Sequence, residues 1–176
     1  RDDSTILAAL PQETLARLIL PLGDFAPEDV AEMMNNVELR FSYRAEQEQK
    51  KLVLFGEEDI FLSCDRDWIL EAVDNIVKNA MDHTKSGDTI EIKWRKSASI
   101  VQIQIKDNGS GIHPEDLHHI FKRFYRSRFS KDQQGIGLGL PLAKMIIEAH
   151  NGTIEVNSEL GKGTMFTISF LIPIKL

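Results

Sequence analysis

Four stretches in the second half of the chain alternate apolar and polar residues with a period of two. Ile90, Ile92 and Trp94 alternate with Glu91 and Lys93, and Val101, Ile103 and Ile105 with Gln102, Gln104 and Lys106. Ile154 and Val156 make a third stretch, and Phe166, Ile168, Phe170 and Ile172 a fourth. Successive side chains of a strand point to opposite faces, so each stretch has one face for a core and one for water. The pattern predicts a largely antiparallel sheet covered on one side only. Helices must supply the cover. One is expected from Asp65, a good N-cap, to about Thr84, with others near Pro114–Phe121 and Pro141–His150. The expected fold class is α/β: a two-layer sandwich whose mixed, mostly antiparallel sheet carries helices on one face.

The first half is less regular. Ile6, Leu7, Leu10, Leu15, Leu18, Ile19 and Leu22 recur at helical spacing, with Pro11 and Pro21 as interruptions. Gly23-Asp24 breaks that pattern, and a hinge from Asp24 to Pro27 leads into a helix expected from Pro27 to about Asn35. Val37 to Tyr43 alternates as a strand would. Arg44 to Lys51 reads as a polar turn, and Leu52–Phe55 and Ile60–Ser63 as short strands.

At 176 residues, 42% of them hydrophobic, the chain can bury one core and carry a small appendage. A net charge of −6 argues against wholesale binding to nucleic acid or an acidic membrane surface. The single cysteine, Cys64, cannot form an internal disulfide, which suits a reduced cytosolic setting. His113, His118, His119 and His150 make no metal spacing with it. No apolar run approaches a membrane span of ~18 residues. The chain starts in mid-pattern, as a piece of a longer protein would.

Three clusters carry chemistry. On the helix from Asp65, Ile69, Ala72, Val73, Ile76, Val77, Ala80 and Met81 fill one arc. Asn75, Asn79 and His83, four apart, form a ridge at its border. A carboxamide oxygen suits Mg²⁺, a hard cation that keeps oxygen ligands; the plain alternative is a solvated surface. Asp107 continues the inward face of Val101, Ile103 and Ile105, and a buried carboxylate needs donors such as an exocyclic amine. Gly109 and Gly111 beside it let backbone approach a ligand, although Asp-Asn-Gly is also ordinary turn chemistry. Gly135, Gly137 and Gly139 precede a helix whose free N–H groups attract phosphate. That string lacks the strand of a dinucleotide fold and the Lys-Ser/Thr of a Walker loop, so it is another kind of phosphate loop or a flexible linker. Lys122 to Lys131 is a cationic run in an acidic chain. It reads as a lid whose arginines meet phosphates, with a solvated loop or a nucleic-acid patch as alternatives.

These residues resemble the motifs of the ATP-binding catalytic domain of bacterial sensor histidine kinases, across about Pro27 to Ile174. Asn75-x-x-x-Asn79-Ala80 resembles the N box, and Asp107-x-Gly109-x-Gly111 a first glycine box. Ile120 to Arg126 resembles the F box. Gly135-x-Gly137-Leu138-Gly139-Leu140 resembles the second glycine box and Gly161-Lys162-Gly163-Thr164-x-Phe166 the last. The resemblance implies a Bergerat-type fold, with residues 1–24 the end of a helical dimerisation domain and 25–176 the catalytic domain. It implies a protein-histidine kinase with ATP and Mg²⁺ as cofactors, working in two-component signal transduction. Asn79 would ligate the metal, with Asn75, Arg123 and Arg126 near the phosphates. Asp107, Gly109, Gly111, Ile112, His83, Gly135, Gly137, Leu138, Gly139 and Thr164 would line the nucleotide. The implied partners are its own phosphoacceptor domain and a response regulator, in a homodimeric parent anchored in the cell membrane with this domain in the cytoplasm.

The sequence departs from that family at three places. No histidine precedes His83, so the phosphoacceptor box is missing. His83 stands where a tyrosine is common, and Asp82 where a lysine is common, leaving Lys78 or a lid arginine to compensate. Two other readings stay open: an ATP-hydrolysing member of the same superfamily, and a nucleotide-sensing module without transfer activity. The first needs a carboxylate four residues before the metal asparagine, where this chain has Asn75.

Overall fold

The computed structural model describes residues 25–128 and 135–173. The helix expected over residues 3–22 lies outside them. A five-stranded sheet has the order β2 (Lys51–Gly56), β4 (Thr89–Lys96), β5 (Ile100–Asp107), β7 (Gly163–Leu171) and β6 (Gly152–Glu159). β4, β5, β7 and β6 pair antiparallel, and β2 joins β4 in parallel. A separate two-stranded sheet pairs β1 (Pro27–Asp29) with β3 (Phe61–Ser63).

The alternation sorts the sheet's faces as expected. Ile90, Ile92, Trp94, Val101, Ile103, Ile105, Phe166, Ile168 and Phe170 are all buried. Their neighbours Lys93, Arg95 and Lys106 stay in water on the opposite face, which no helix among the described residues covers. Three helices lie on the apolar face: α1 (Val30–Gln47), α2 (Arg66–Asp82) and α3 (Gly139–Ala149). Every member of the apolar arc read on α2 is buried, and Leu70 joins it. Each large aliphatic side chain moved from water to this core contributes about 1.5–3 kcal/mol before entropy is counted.

Capping fixes where α2 begins. The Asp65 carboxylate accepts the Trp68 N–H at 3.2 Å, which satisfies one of the free donors of the first turn. The Asp65 N–H in turn donates to Nε2 of His150, just past the end of α3, at 3.2 Å. The other ring nitrogen of His150 lies 2.8 Å from the Ile146 carbonyl. A neutral tautomer protonated at Nδ1 makes both bonds, so the imidazole ties the start of α2 to the end of α3.

Four expectations need correction. The polar turn expected over Arg44 to Lys51 is confined to residues 48–50, because α1 runs on to Gln47 and β2 opens at Lys51. Val37–Tyr43 is not a strand but the middle of α1. Val30, Met33, Met34, Val37 and Ala45 are buried at helical spacing, whereas Leu39 and Tyr43 are each 72% exposed. The helix expected from Pro27 starts at Val30 instead, because Pro27–Asp29 pairs with β3 and Asp29 accepts the Glu32 N–H as N-cap. Residues 114–121 form successive turns, not an α-helix. Their backbone bonds run from Asp116 to His113, from His119 to Asp116 and from Lys122 to His119, each spanning three residues.

Candidate nucleotide site

α2, the β5 end and the α3 start converge on one cleft of about 1180 Å³. Its walls include Asn75, Lys78, Asn79, Asp82 and His83 from α2, Gly109, Gly111 and Ile112 after β5, and Gly135 to Leu142 at the head of α3. Arg126 reaches it from the cationic run. The three clusters read from sequence, up to about sixty residues apart in the chain, therefore share a cavity. Its size lies at the upper end for small-molecule sites.

Asn75 is oriented rather than merely present. Its amide nitrogen donates to the Glu71 carbonyl at 2.9 Å and to Glu71 Oε1 at 3.3 Å. The amide oxygen faces Gly139, where a Cβ would sit only 2.9 Å from it. This brings an uncommitted acceptor next to the first residue of α3. That helix has no side-chain cap at Leu138, and Gly139 and Leu140 both line the cavity. Free N–H groups and the positive helix end thus face the same space as the amide ridge. Lys78 is less available than the sequence suggests: it pairs with Asp82 at 2.9 Å, and Asp82 also holds Arg44 of α1 at 2.7 Å.

Asp107 is 4% exposed and is not itself on the cavity wall, which its neighbours Asn108 and Gly109 line. One oxygen accepts the Gly109 N–H at 2.9 Å. Desolvation pushes its carboxyl above the ordinary value of 3.8, opposed by the Gly109 bond, the nearby His83 and the Thr164 N–H. Such an acid is ionised only at a cost, and a ligand amine reaching it would relieve that cost. Gly109 permits the arrangement, because a Cβ there would sit 2.2 Å from the His83 carbonyl. That carbonyl accepts the Ser110 N–H at 3.1 Å, stitching the loop to the end of α2.

The structure treats the remaining candidates unequally. Thr164 is opposite Asp107 in the β5–β7 register and is not on the cavity wall. Its hydroxyl lies 2.9 Å from Ser158 Oγ, which receives the Ile112 N–H at 2.8 Å. Thr164 supports the acid and the loop from behind. Arg123 is half-buried and also outside the cavity lining. Gly137, with φ of +74°, brings its backbone so close to the Tyr125 carbonyl that a Cβ would lie 2.5 Å away. Sequence reading gave no task to Glu71 or to Asp116. Glu71 is four residues before Asn75, a spacing that could have revealed the pairing; Asp116 meets partners nine and eleven residues on, which no local pattern encodes.

No cluster of three or more His, Cys, Asp or Glu suited to a metal occurs among the described residues. A cation here would depend on carboxamide oxygen, water and ligand phosphates, as Mg²⁺ often does. Among those residues, no helix is long and apolar enough to cross a membrane.

Comparison with known proteins agrees with this fold. Residues 64–174 match the family described as histidine kinase-, DNA gyrase B-, and HSP90-like ATPase. Sensor histidine kinase YclK of Bacillus subtilis is 34% identical over 160 residues, covering 89% of this chain and 32% of YclK. The chain thus spans about a third of that curated relative. The mycobacterial sensor histidine kinase MprB superposes with a TM-score of 0.76 at 24% identity, over 83% of this chain and 97% of that one. Histidine kinase ThkA, solved in complex with response regulator protein TrrA, superposes with a TM-score of 0.71 at 22% identity, over 84% and 41% of the two chains. With the family match spanning more than half of the chain, the chain belongs to the histidine kinase-, DNA gyrase B- and HSP90-like ATPase family, and its homologues there are sensor histidine kinases.

Proposed function

We propose that this chain binds Mg-ATP in the cleft and presents its γ-phosphate to a histidine on a separate helical dimerisation domain. The carrying observation is the convergence of the Asn75–Asn79–His83 ridge, the Asn108–Gly111 loop that follows Asp107 and the uncapped head of α3 on one cavity. Asp107 takes the adenine amine, with the backbone at Gly109 and Gly111 close to the base and the His83 ring at its edge. Asn79 holds Mg²⁺, and Asn75, fixed by Glu71, faces the phosphates together with the N–H groups of Gly139 and Leu140. Mg²⁺ held there by Asn79 would supply neutralisation of the phosphate charge. The protein's own contribution is position and charge.

Residues 1–24 are the end of the dimerisation domain in this reading, and 25–176 the catalytic domain. The parent is a homodimeric sensor anchored in the cell membrane, with this domain in the cytoplasm, and it signals to a response regulator, as ThkA is found with TrrA.

A carboxamide at Asn75 cannot accept a proton from water, which favours transfer over hydrolysis. The test mixes the chain with a separately produced histidine-bearing dimerisation domain and γ-labelled ATP. Label appearing on histidine, as an acid-labile and alkali-stable product, is expected. ATP binding without labelled histidine, or steady phosphate release by the chain alone above ~1 s⁻¹, would overturn the reading.

A further inference from the structure

Asp116 belongs to none of the motifs, yet it is one of the few charged residues buried among those described, at 2% exposure. Its two oxygens are divided between two hydroxyls: Tyr125 donates to Oδ1 and Ser127 to Oδ2. Those donors flank Arg126, which is exposed and lines the cleft. The acid itself sits on a fixed turn, its N–H bonded to the His113 carbonyl at 2.8 Å and its carbonyl accepting the His119 N–H at 2.7 Å. The far margin of the same short segment is fixed as well. The Phe124 N–H donates to the Gly137 carbonyl at 2.9 Å, and the Tyr125 ring rests 5.3 Å from that of His119.

We infer that Asp116 is a positioning residue, gripping the segment on both sides of Arg126 so that its guanidinium is presented to the polyphosphate end of a bound nucleotide. The inference rests on the proposed nucleotide-binding function. One carboxylate that accepts from residues 125 and 127 restrains the backbone through the residue between them. Only the ionised acid can accept from both hydroxyls while donating to neither. Burial pushes its pKa up, but the Ser127 and Tyr125 hydroxyls, with His113 and Arg128 nearby, outweigh burial and hold it below the ordinary value of 3.8. Glu115, paired with Arg128 at 3.2 Å, is the neighbouring carboxylate. Arg126 is thereby ordered before a ligand arrives, which spares part of the ordering cost on binding.

The test compares binding of Mg-ATP, Mg-ADP and adenosine to the wild type, Asp116→Ala, Arg126→Ala and the double variant. Asp116→Ala should weaken Mg-ATP about tenfold, Mg-ADP less, and adenosine not at all. In the Arg126→Ala background it should add nothing further, because the two residues act as a unit. Tyr125→Phe/Ser127→Ala removes the same two bonds from the donor side and should reproduce the pattern of ligand affinities. It carries the test if Asp116→Ala fails to fold. Equal losses for all three ligands, full additivity with Arg126→Ala, or no loss at all would each overturn the role of Asp116 while leaving the nucleotide site intact. A wild type that binds none of the three ligands sinks both readings.

Discussion

The residue that best links sequence to chemistry is Asp107. Its inward position follows from parity alone: it is two residues past Ile105 on a strand whose odd positions are buried. Replacing it with asparagine keeps the shape and turns an acceptor toward a donor. We expect at least a tenfold loss of Mg-ATP affinity, ~1.4 kcal/mol, by titration calorimetry. The pH dependence has a defined sign. Affinity should fall as pH drops through the folded-state pKa of Asp107, which lies above 3.8, because the protonated acid no longer accepts from the amine. For the ligand-free chain this same group acts in the opposite direction: its stabilising contribution is present below 3.8 and is lost as pH rises through the raised value. Equal affinities for wild type and the asparagine variant would remove the adenine contact. Glu71 offers a second residue-level test. Glu71→Ala removes the 3.3 Å bond and leaves the Asn75 amide on the Glu71 carbonyl alone, which should weaken Mg-ATP binding by about threefold to tenfold, whereas Glu71→Gln keeps an acceptor for the same N–H and should stay near wild type. Arg123 and Thr164 came from motif resemblance, not from parity, and resemblance alone could not say that both sit off the cleft wall. Asp116 was invisible because its role is set by tertiary contact.

Among elements, α2 was legible almost to the residue, since seventeen residues let a helical period declare itself and Asp65 marks the start. α1 was not. Val37, Leu39, Phe41 and Tyr43 alternate over a window too short to separate period two from period 3.6, and exposed Leu39 and Tyr43 supplied the false strand face. This can be measured. Leu39→Lys should change stability by no more than about 0.5 kcal/mol as an exposed helix position. Met33→Ala, fully buried on the other side, should cost about 2–5 kcal/mol. Denaturant titration separates the two, and a large cost at Leu39 would contradict its place on the helix's wet side. The turns at 114–121 were mistaken for a helix because Pro114 followed by acids resembles a first turn, while their bonds never extend beyond three residues.

For the whole molecule, the sheet with one bare face was readable from alternation, but its parallel member was not. β2 has a mixed pattern of partial burial, and only its placement beside β4 sets its direction. Cys64 gives a global probe of the assembled core. Burial pushes its thiol up to about 12, so a thiol reagent at neutral pH should label it only through opening. Mg-ATP at about 100 times its Kd should add ~2.7 kcal/mol and slow that labelling about a hundredfold when opening is global. Labelling at the rate of a free thiol, with or without nucleotide, would contradict this burial.

The Asp107 acid is held from behind by Thr164, and the loop that follows it by Ser158 and by the Gly161 N–H, which meets the Ser110 carbonyl at 2.7 Å. All three belong to the final hairpin of the described chain. A nascent polypeptide that has already displayed both asparagines and every glycine up to Gly139 still lacks the supports of the proposed adenine contact. Ribosomal synthesis must deliver that hairpin before the cofactor can assist folding, so nucleotide can guard the finished domain but cannot template its early stages.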